Sequence, residues 1–165
     1  MDKITKSALM AYALSDEGAK LLVTKMPEVN LDTLMICQEN LLKAIEFVKN
    51  PENNAAGLAA PQIGVAESWF VMKHGRDQSV VTVINPVIKG CMGSKQHVES
   101  CFSELLPARV KRSKTVTVSY TTLSGQVWCR IFETLDGLDA QVFQHEYDHL
   151  QGILIAKRGE VIKKE

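Results

Sequence analysis

The segment HEYDHL, residues 145–150, constrains what this chain can fold into more than any other stretch. His145 and His149 are four residues apart, and in an α-helix this spacing places two imidazoles on one face, where both can bind a single metal ion. Glu146 stands where a glutamate can act as a general base. Val142 shares the predicted inward face, where unpaired imidazoles are disfavoured. We therefore predict a metal-binding helix rather than a surface helix that carries two histidines by chance.

A third protein ligand has to complete such a site, because a catalytic metal ion usually takes three ligands and keeps one position for water. Downstream, Ile155 stands where H-E-x-x-H-x-x-G-x-x-H would place a third histidine, and the tail that follows is too short to hold another ligand helix. The ligand must therefore come from upstream. Spacing leaves Cys101 and Cys91 as close alternatives, and Cys91 could also pair with His97.

The length and composition indicate one globular domain over residues 1–165. The 19 basic residues balance the 19 acidic ones, so no net charge is expected to attract the protein to nucleic acid or to a membrane. No stretch approaches the ~20 apolar residues of a membrane helix. The four cysteines lack a CxxC pair and a signal peptide is not expected, which predicts free thiols or metal ligands rather than disulfides, in a reducing cytoplasm. One basic run is interpreted as a solvated strand edge rather than a phosphate or carboxylate site: Arg109, Lys111, Arg112 and Lys114.

Hydrophobic periodicity predicts the secondary structure. Apolar spacing over 31–49 predicts a long helix near the N-terminus, closed before Pro51. Runs rich in β-branched residues predict strands, the last two of which form a hairpin: 68–73, 79–88, 114–122 and 126–135. Asp136 and Asp139 are alternative caps for a last helix that should end at Gly152. This order predicts an α+β fold, a single domain with mixed or antiparallel β-sheets packed around the central HEYDH helix.

Three segments taken together resemble the peptide deformylase family, whose motifs are G-φ-G-φ-A-A-x-Q, E-G-C-φ-S and H-E-φ-D-H-φ-x-G. They read AAGLAAPQ at 55–62, ESCFS at 99–103 and HEYDHLQG at 145–152. The resemblance runs from about the long helix to Gly152. It implies a hydrolase that removes the formyl group from formylmethionine at the start of nascent polypeptides and releases formate.

The resemblance also implies a ligand set, Cys101, His145 and His149, which leaves Cys91 as an ordinary thiol. These residues would hold one divalent metal ion. Imidazole and thiolate ligands accommodate zinc, nickel and cobalt as well as iron. The family resemblance implies ferrous iron, which together with a thiolate would make the site sensitive to oxygen.

The remaining roles come from the same motif matches. Glu146 would take a proton from metal-bound water and pass it to the leaving amine, while hydroxide attacks the formyl carbon. The Gln62 side-chain amide and the Phe102 backbone N–H would stabilise the oxyanion. Three residues are expected to contact the substrate, the first through its backbone and the others in a methionine pocket: Gly57, Leu58 and Val142. Away from the metal, ion pairs of Glu99 with Arg112 and of Asp148 with an arginine are expected.

The chain departs from the family pattern at several positions. Ser100 replaces the glycine before the metal cysteine, which predicts backbone strain if that position needs φ > 0. Phe102 replaces a common leucine, and Ala55 replaces a glycine. The last residues of the sequence are ILIAKRGEVIKKE, whereas many relatives continue into a C-terminal helix, which predicts different or weaker docking on the ribosome.

Two alternative functions are compatible with the histidine pair but explain less of the sequence. A small H-E-x-x-H metallopeptidase would leave Gln62 and ESCFS without a role. A non-catalytic protein that binds formyl peptides or nascent chains would not need Glu146 as a general base. The enzyme is favoured. We expect a cytoplasmic monomer that acts on nascent chains, with the ribosome as a candidate partner and an organelle or phage origin left open.

Overall fold

A computed structural model of the protein describes residues 3–31 and 38–163. The α-helices within these residues are α1 (Lys6–Leu14), α2 (Asp16–Leu22), α3 (Gln38–Lys49), α4 (Gly137–Leu150) and α5 (Ile155–Arg158). The strands are β1 (Gly57–Ala59), β2 (Trp69–Lys73), β3 (Val80–Met92), β4 (Lys95–Glu99), β5 (Ala108–Arg112), β6 (Thr115–Ser124), β7 (Val127–Asp136) and β8 (Glu160–Val161). This mixture confirms the predicted α+β class.

Hydroxyl side chains cap the N-termini of the two short N-terminal helices. The Thr5 hydroxyl accepts the Ala8 N–H of α1 at 3.1 Å. Ser15 follows α1 and caps α2, because its hydroxyl accepts the Gly18 N–H at 3.1 Å. Each contact satisfies an N–H group that a first helical turn leaves without an intrahelical partner.

The third helix covers the C-terminal part of the predicted long helix. Leu41, Ala44 and Val48 recur at intervals of three and four residues in α3, and all are buried. Pro51 begins a separate 3₁₀ turn after α3 ends, because proline cannot continue the helix. The predicted residues 32–37 lie outside the described part of the chain, so the full length of this helix stays a prediction.

Five antiparallel strands form the main sheet in the order β1-β2-β3-β6-β7. The predicted hairpin is β6–β7, paired from Thr115↔Asp136 to Ser124↔Val127 around a loop that starts at Gly125. Gly125 has φ +64°, which suits a tight hairpin turn. Because β1 is an edge strand, one side of its backbone is free of sheet pairing.

The side chains of β2 alternate between the two faces of the main sheet. Trp69 and Val71 pack in the core under α3, and Phe70 and Met72 pack in the core under α4. Phe70 meets Phe143 of α4 edge to face, with ring centroids 5.2 Å apart. The sheet therefore lies between α3 and α4, which is why α4 holds a fixed position.

A smaller antiparallel sheet has the order β4-β5-β8 and carries most of the basic run. Arg109 and Lys111 are exposed on β5, as expected for a solvated edge. Arg112 is not, since it is buried with 3% exposure. The interpretation of the run as solvated is therefore wrong for Arg112, whose side chain turns inward to two carboxylates.

The last predicted helix, α4, begins directly after Asp136, whose side chain makes no capping hydrogen bond. The second candidate cap, Asp139, lies inside the helix, and its carboxylate accepts the Gly75 N–H at 2.7 Å. The helix ends before Gly152, which has φ +72°. None of the helices in the described ranges is long and apolar enough to cross a lipid bilayer.

We predict that Gly152→Ala is strongly destabilising. A Cβ at Gly152 would lie 2.6 Å from the Val23 carbonyl carbon, in addition to the strain of φ +72°. Gly125→Ala is the matched control, because φ is +64° there and nothing lies within 4 Å of the added atom. In urea denaturation we expect a loss of about 1–2 kcal/mol for the control and about 2–4 kcal/mol for Gly152→Ala. Equal losses would show that the contact with Val23 does not constrain the chain.

Candidate metal centre

A cleft of about 450 Å³ lies between β1, the N-terminal part of the β4–β5 connection and α4. Its walls include Gly57 and Gln62 on one side, Ser100 to Phe102 on another, and Val142 and His145 of α4. Glu146 also borders the cleft. The three sequence motifs therefore meet at a single cavity.

Three potential ligand atoms converge at the inner end of this cleft. The donors of Cys101, His145 and His149 all lie within 4.8 Å of one another. The Cys101 Sγ is 3.3 Å from His149 Nε2. Among residues 3–31 and 38–163, this is the one group of three such side chains with metal-binding geometry. Cys91 and His97, the alternative pair left open by spacing, are not part of it.

The hydrogen bond between His145 and Glu99 determines which imidazole nitrogen is available to a metal ion. His145 Nδ1 lies 2.9 Å from Glu99 Oε2. Although burial alone would raise the pKa of Glu99, hydrogen bonds with His145 and Arg112 lower it to about 2. An ionised carboxylate only accepts, so Nδ1 donates a proton to Glu99 and Nε2 is the nitrogen left to bind a metal ion.

A buried arginine holds Glu99 in turn. Arg112 donates from Nε and Nη2 to the two oxygens of Glu99, at 3.0 and 2.9 Å. Its Nη1 donates to Asp148 of α4, whose carboxylate also accepts from Arg158 Nε at 2.9 Å. These contacts agree with both expected ion pairs, and they join β4, β5 and α4 beneath the ligands.

The thiol of Cys101 lies among hydrogen-bond donors that suit a thiolate. The Ser103 N–H donates to Cys101 Sγ at 3.4 Å, and Gln62 Nε2 lies 3.6 Å from the same sulfur. Gln62 is itself held at both ends of its amide, because it accepts the Ala59 N–H at 2.9 Å and donates to Ser103 Oγ at 3.1 Å. Its amide group is therefore oriented toward the ligand cluster before any substrate binds.

The two histidines differ in their affinity for protons. Burial disfavours the charged ring in both, but hydrogen bonds to Cys101 and Glu99 outweigh it and raise the pKa of His145. Burial and the neighbouring charge of His145 lower the pKa of His149. Two imidazoles and a sulfur at this spacing fit a tetrahedral divalent ion with one open position, and such an ion would displace the proton from His145.

Glu146 is a buried carboxylate without a salt bridge in the described residues, and it is 4% exposed. Burial raises the pKa of Glu146 to about 7. Its Oε2 is one of the buried side-chain atoms that have no hydrogen-bond partner among the described residues. A carboxylate in this state is suited to exchanging a proton near neutral pH.

Gly57 provides the space that Glu146 occupies. A Cβ at position 57 would lie 2.7 Å from Glu146 Oε1 and 2.9 Å from Cδ. Leu58 follows Gly57 on a strand and therefore points to the opposite face, where it is fully buried in the core under α3. Leu58 is not among the residues that line the cleft, whereas Val142 is, and the contact of Leu58 with substrate stays a prediction.

Phe102 and Ser100 flank Cys101 in the sequence. Phe102 lines the cleft and packs edge to face on Phe47 of α3, with ring centroids 5.3 Å apart. The described non-glycine residues with positive φ are Asn54, Gln78 and Asn85. Ser100 is not among them, so the expected backbone strain from serine at this position is absent.

Sequence reasoning missed several residues of the site. Ser103 orients Gln62, and it could have been singled out because it closes the ESCFS motif. Gln141 donates to Glu99 Oε1 at 3.3 Å, a contact that no local pattern indicates. Glu104 connects the loop that carries Cys101 to the start of α5. Its two carboxylate oxygens accept hydrogen bonds from the N–H groups of Ile155 and Ala156, at 2.8 and 2.9 Å.

Comparisons with known proteins agree on one family. The model of the family described as polypeptide deformylase matches residues 13–165. A peptide deformylase of Thermotoga maritima is 38% identical over 125 residues, 73% of each chain. A peptide deformylase of Thermodesulfovibrio yellowstonii is 34% identical over 156 residues, 91% of this chain and 88% of the relative. The crystal structure of peptide deformylase from Thermotoga maritima has a TM-score of 0.75 at 32% identity and covers 87% of this chain and 93% of its own.

We predict that Cys101→Ser weakens metal binding by at least about 100-fold, since loss of a ligand should exceed the 10–100-fold cost of changing an outer-shell partner. Cys91→Ser is the matched control, because its thiol is exposed on β3 away from the cluster. Metal content after dialysis against a graded chelator measures the difference. Equal metal retention by both variants would exclude Cys101 as a ligand.

Proposed function

The chain belongs to the polypeptide deformylase family, and we propose how the residues of its cleft carry out that family's reaction. It is a metal-dependent hydrolase that removes the N-terminal formyl group from nascent polypeptides. The observation that carries the mechanism is the convergence of the Cys101, His145 and His149 donors within 4.8 Å at the end of the cleft. Each following role rests on the position of a side chain relative to that point.

Cys101, His145 and His149 would hold the metal ion. A divalent ion held there would supply Lewis-acid chemistry, lowering the pKa of a bound water and polarising the formyl carbonyl. The imidazole and thiolate set suits ferrous iron, which we propose as the ion used in the cell, with zinc, nickel and cobalt as substitutes. Glu99 keeps the His145 Nε2 lone pair directed at the ion by holding the proton on Nδ1.

Glu146 would transfer the proton. Its carboxylate borders the cleft beside His145, and its pKa of about 7 lets it accept a proton from water and release it again. The proton then goes to the amine nitrogen of methionine as the C–N bond to the formyl group breaks. Formate and a free N-terminus are the products.

Two N–H groups would stabilise the negative charge on the formyl oxygen. The Gln62 Nε2 points toward Cys101 and is preoriented by Ser103 and Ala59. The Phe102 backbone N–H lies in the loop that follows the cysteine. Donors fixed in advance need no reorganisation when the charge develops, which is how they lower the barrier.

The free edge of β1 would bind the substrate backbone. A polypeptide with its formyl group at the metal ion can add as a strand beside Gly57, with main-chain hydrogen bonds that do not depend on its sequence. Val142 would contact the methionine side chain from α4. The free thiols of Cys91, Cys101 and Cys129 support a reducing compartment, and we propose the cytoplasm.

We predict that Glu146→Gln abolishes deformylation while the metal ion stays bound. Glutamine preserves size but cannot take up a proton, so kcat should fall by about 10²–10⁴-fold. The assay is formate release from formyl-Met-Ala-Ser by protein loaded with ferrous iron without oxygen. Metal content and unfolding temperature are measured on the same preparation. Full turnover by a metal-loaded Glu146→Gln protein would exclude Glu146 as the base, and no turnover by the metal-loaded parent protein would overturn the proposed function.

We predict that Gly57→Ala lowers kcat by about 10- to 100-fold, because the added methyl group must displace the Glu146 carboxylate. Gly90→Ala is the control, since a Cβ there would lie 3.9 Å from its nearest neighbour on Thr117. Steady-state kinetics separate the two roles of Gly57. A raised KM with unchanged kcat would mean that Gly57 serves substrate binding and does not position the base.

A further inference from the structure

One cation reaches the cleft from a part of the chain outside the family match. Lys6 is the first residue of α1, whereas the family model matches residues 13–165. Its side chain nevertheless lines the same cleft as Cys101 and Glu146. The lysine therefore belongs to the substrate cavity although most of α1 lies outside the matched residues.

A hydrogen bond fixes the Lys6 ammonium beside the 3₁₀ turn after α3. Its Nζ donates to the Glu52 carbonyl at 2.9 Å. An ammonium has three N–H donors, so this contact leaves two for a ligand. Asn53 and Asn54 follow Glu52 in the chain and line the cleft beside Lys6, and neither side chain is charged. Glu99, the carboxylate deeper in the cleft, is already paired with Arg112.

The chain itself bounds the distance from Lys6 to the reacting groups. Gly57, whose Cα faces the Glu146 carboxylate, follows Glu52 by five residues. Five extended residues span at most about 17 Å, and the turn at Pro51–Asn53 shortens that span. An extended substrate advances about 3.3 Å per residue. The ammonium thus lies within reach of the first five or so residues of a polypeptide whose formyl group is at the metal centre.

We propose that Lys6 is a specificity-determining residue that favours formylated polypeptides with an acidic side chain among the residues after methionine. The proposal rests on the proposed function, because it takes the formyl group to lie at the Cys101, His145 and His149 cluster. The interaction is an ion pair at the partly solvated mouth of the cleft. It acts on substrate binding and takes no part in the chemistry.

The test compares peptide pairs that differ only in charge. C-terminally amidated formyl-Met pentapeptides with alanine elsewhere carry aspartate or asparagine at position two, three, four or five, and kcat/KM is measured at low ionic strength. At one or more positions the parent protein should prefer aspartate by about two- to fivefold, the range of an exposed ion pair. The preference should shrink as salt is added, because ions screen exposed charges.

Variants assign the preference to Lys6. Lys6→Gln should bring the aspartate-to-asparagine ratio to about one, and Lys6→Glu should bring it below one. The matched control is Lys20→Gln, an exposed lysine on α2 that does not line the cleft, and it should keep the parental ratio. Because each ratio is taken within one protein, general losses of activity cancel.

The outcomes separate the two proposals. Turnover of the asparagine peptides with a ratio of one at every position overturns the role of Lys6 and leaves the deformylase function intact. A preference for aspartate that persists in Lys6→Gln also overturns it. Failure of the iron-loaded parent protein to release formate from any peptide overturns the proposed function itself.

Discussion

The rest of the structure depends on the buried guanidinium of Arg112. It binds Glu99 at the end of β4 through two hydrogen bonds and Asp148 of α4 through a third. Charges removed from water are tolerated only when their partners satisfy them, so each of these side chains requires the others in place. The small sheet and the metal helix can therefore adopt only one relative arrangement. That arrangement brings the β4–β5 connection, and with it Cys101, against the two histidines.

Close packing on the other side of α4 determines where the Glu146 carboxylate lies. The β1 backbone approaches Glu146 at Gly57, where no side chain intervenes. The carboxylate is thereby buried, without a salt-bridge partner among the described residues, and burial raises its pKa to about 7. Glu99 and Glu146 are both buried glutamates near His145, yet their pKa values differ widely. An arginine holds Glu99 ionised for a structural purpose, and the absence of such a partner for Glu146 in the described residues leaves it able to exchange protons.

Local sequence patterns predicted the parts of the fold that depend on local chemistry. The hairpin around Gly125, the end of α4 before Gly152 and the histidine pair each follow from spacing within one element. Arg112 was misjudged because its neighbours in the basic run are exposed and its partner Asp148 is 36 residues away. The face of β1 on which Leu58 lies could not be predicted, because β1 has only three residues and its two faces can be told apart only once α3 and α4 are placed. The third ligand needed a family resemblance, since spacing alone could not separate Cys101 from Cys91.

The metal end and the mouth of the cleft differ in how many hydrogen bonds fix their side chains, and this difference suits the functions proposed for them. At the metal end, Glu99, Gln62 and Cys101 each make two or more hydrogen bonds to other elements, so small displacements are resisted from several directions. At the mouth, the Lys6 ammonium keeps its position through a hydrogen bond to the Glu52 carbonyl. Bond cleavage needs fixed geometry, because the barrier depends steeply on the alignment of reacting groups. Recognition of a varied polypeptide needs a longer-range contact, which a charged group at the mouth supplies. Replacement of Lys6 should therefore alter substrate binding without disturbing the hydrogen bonds at the metal end of the cleft.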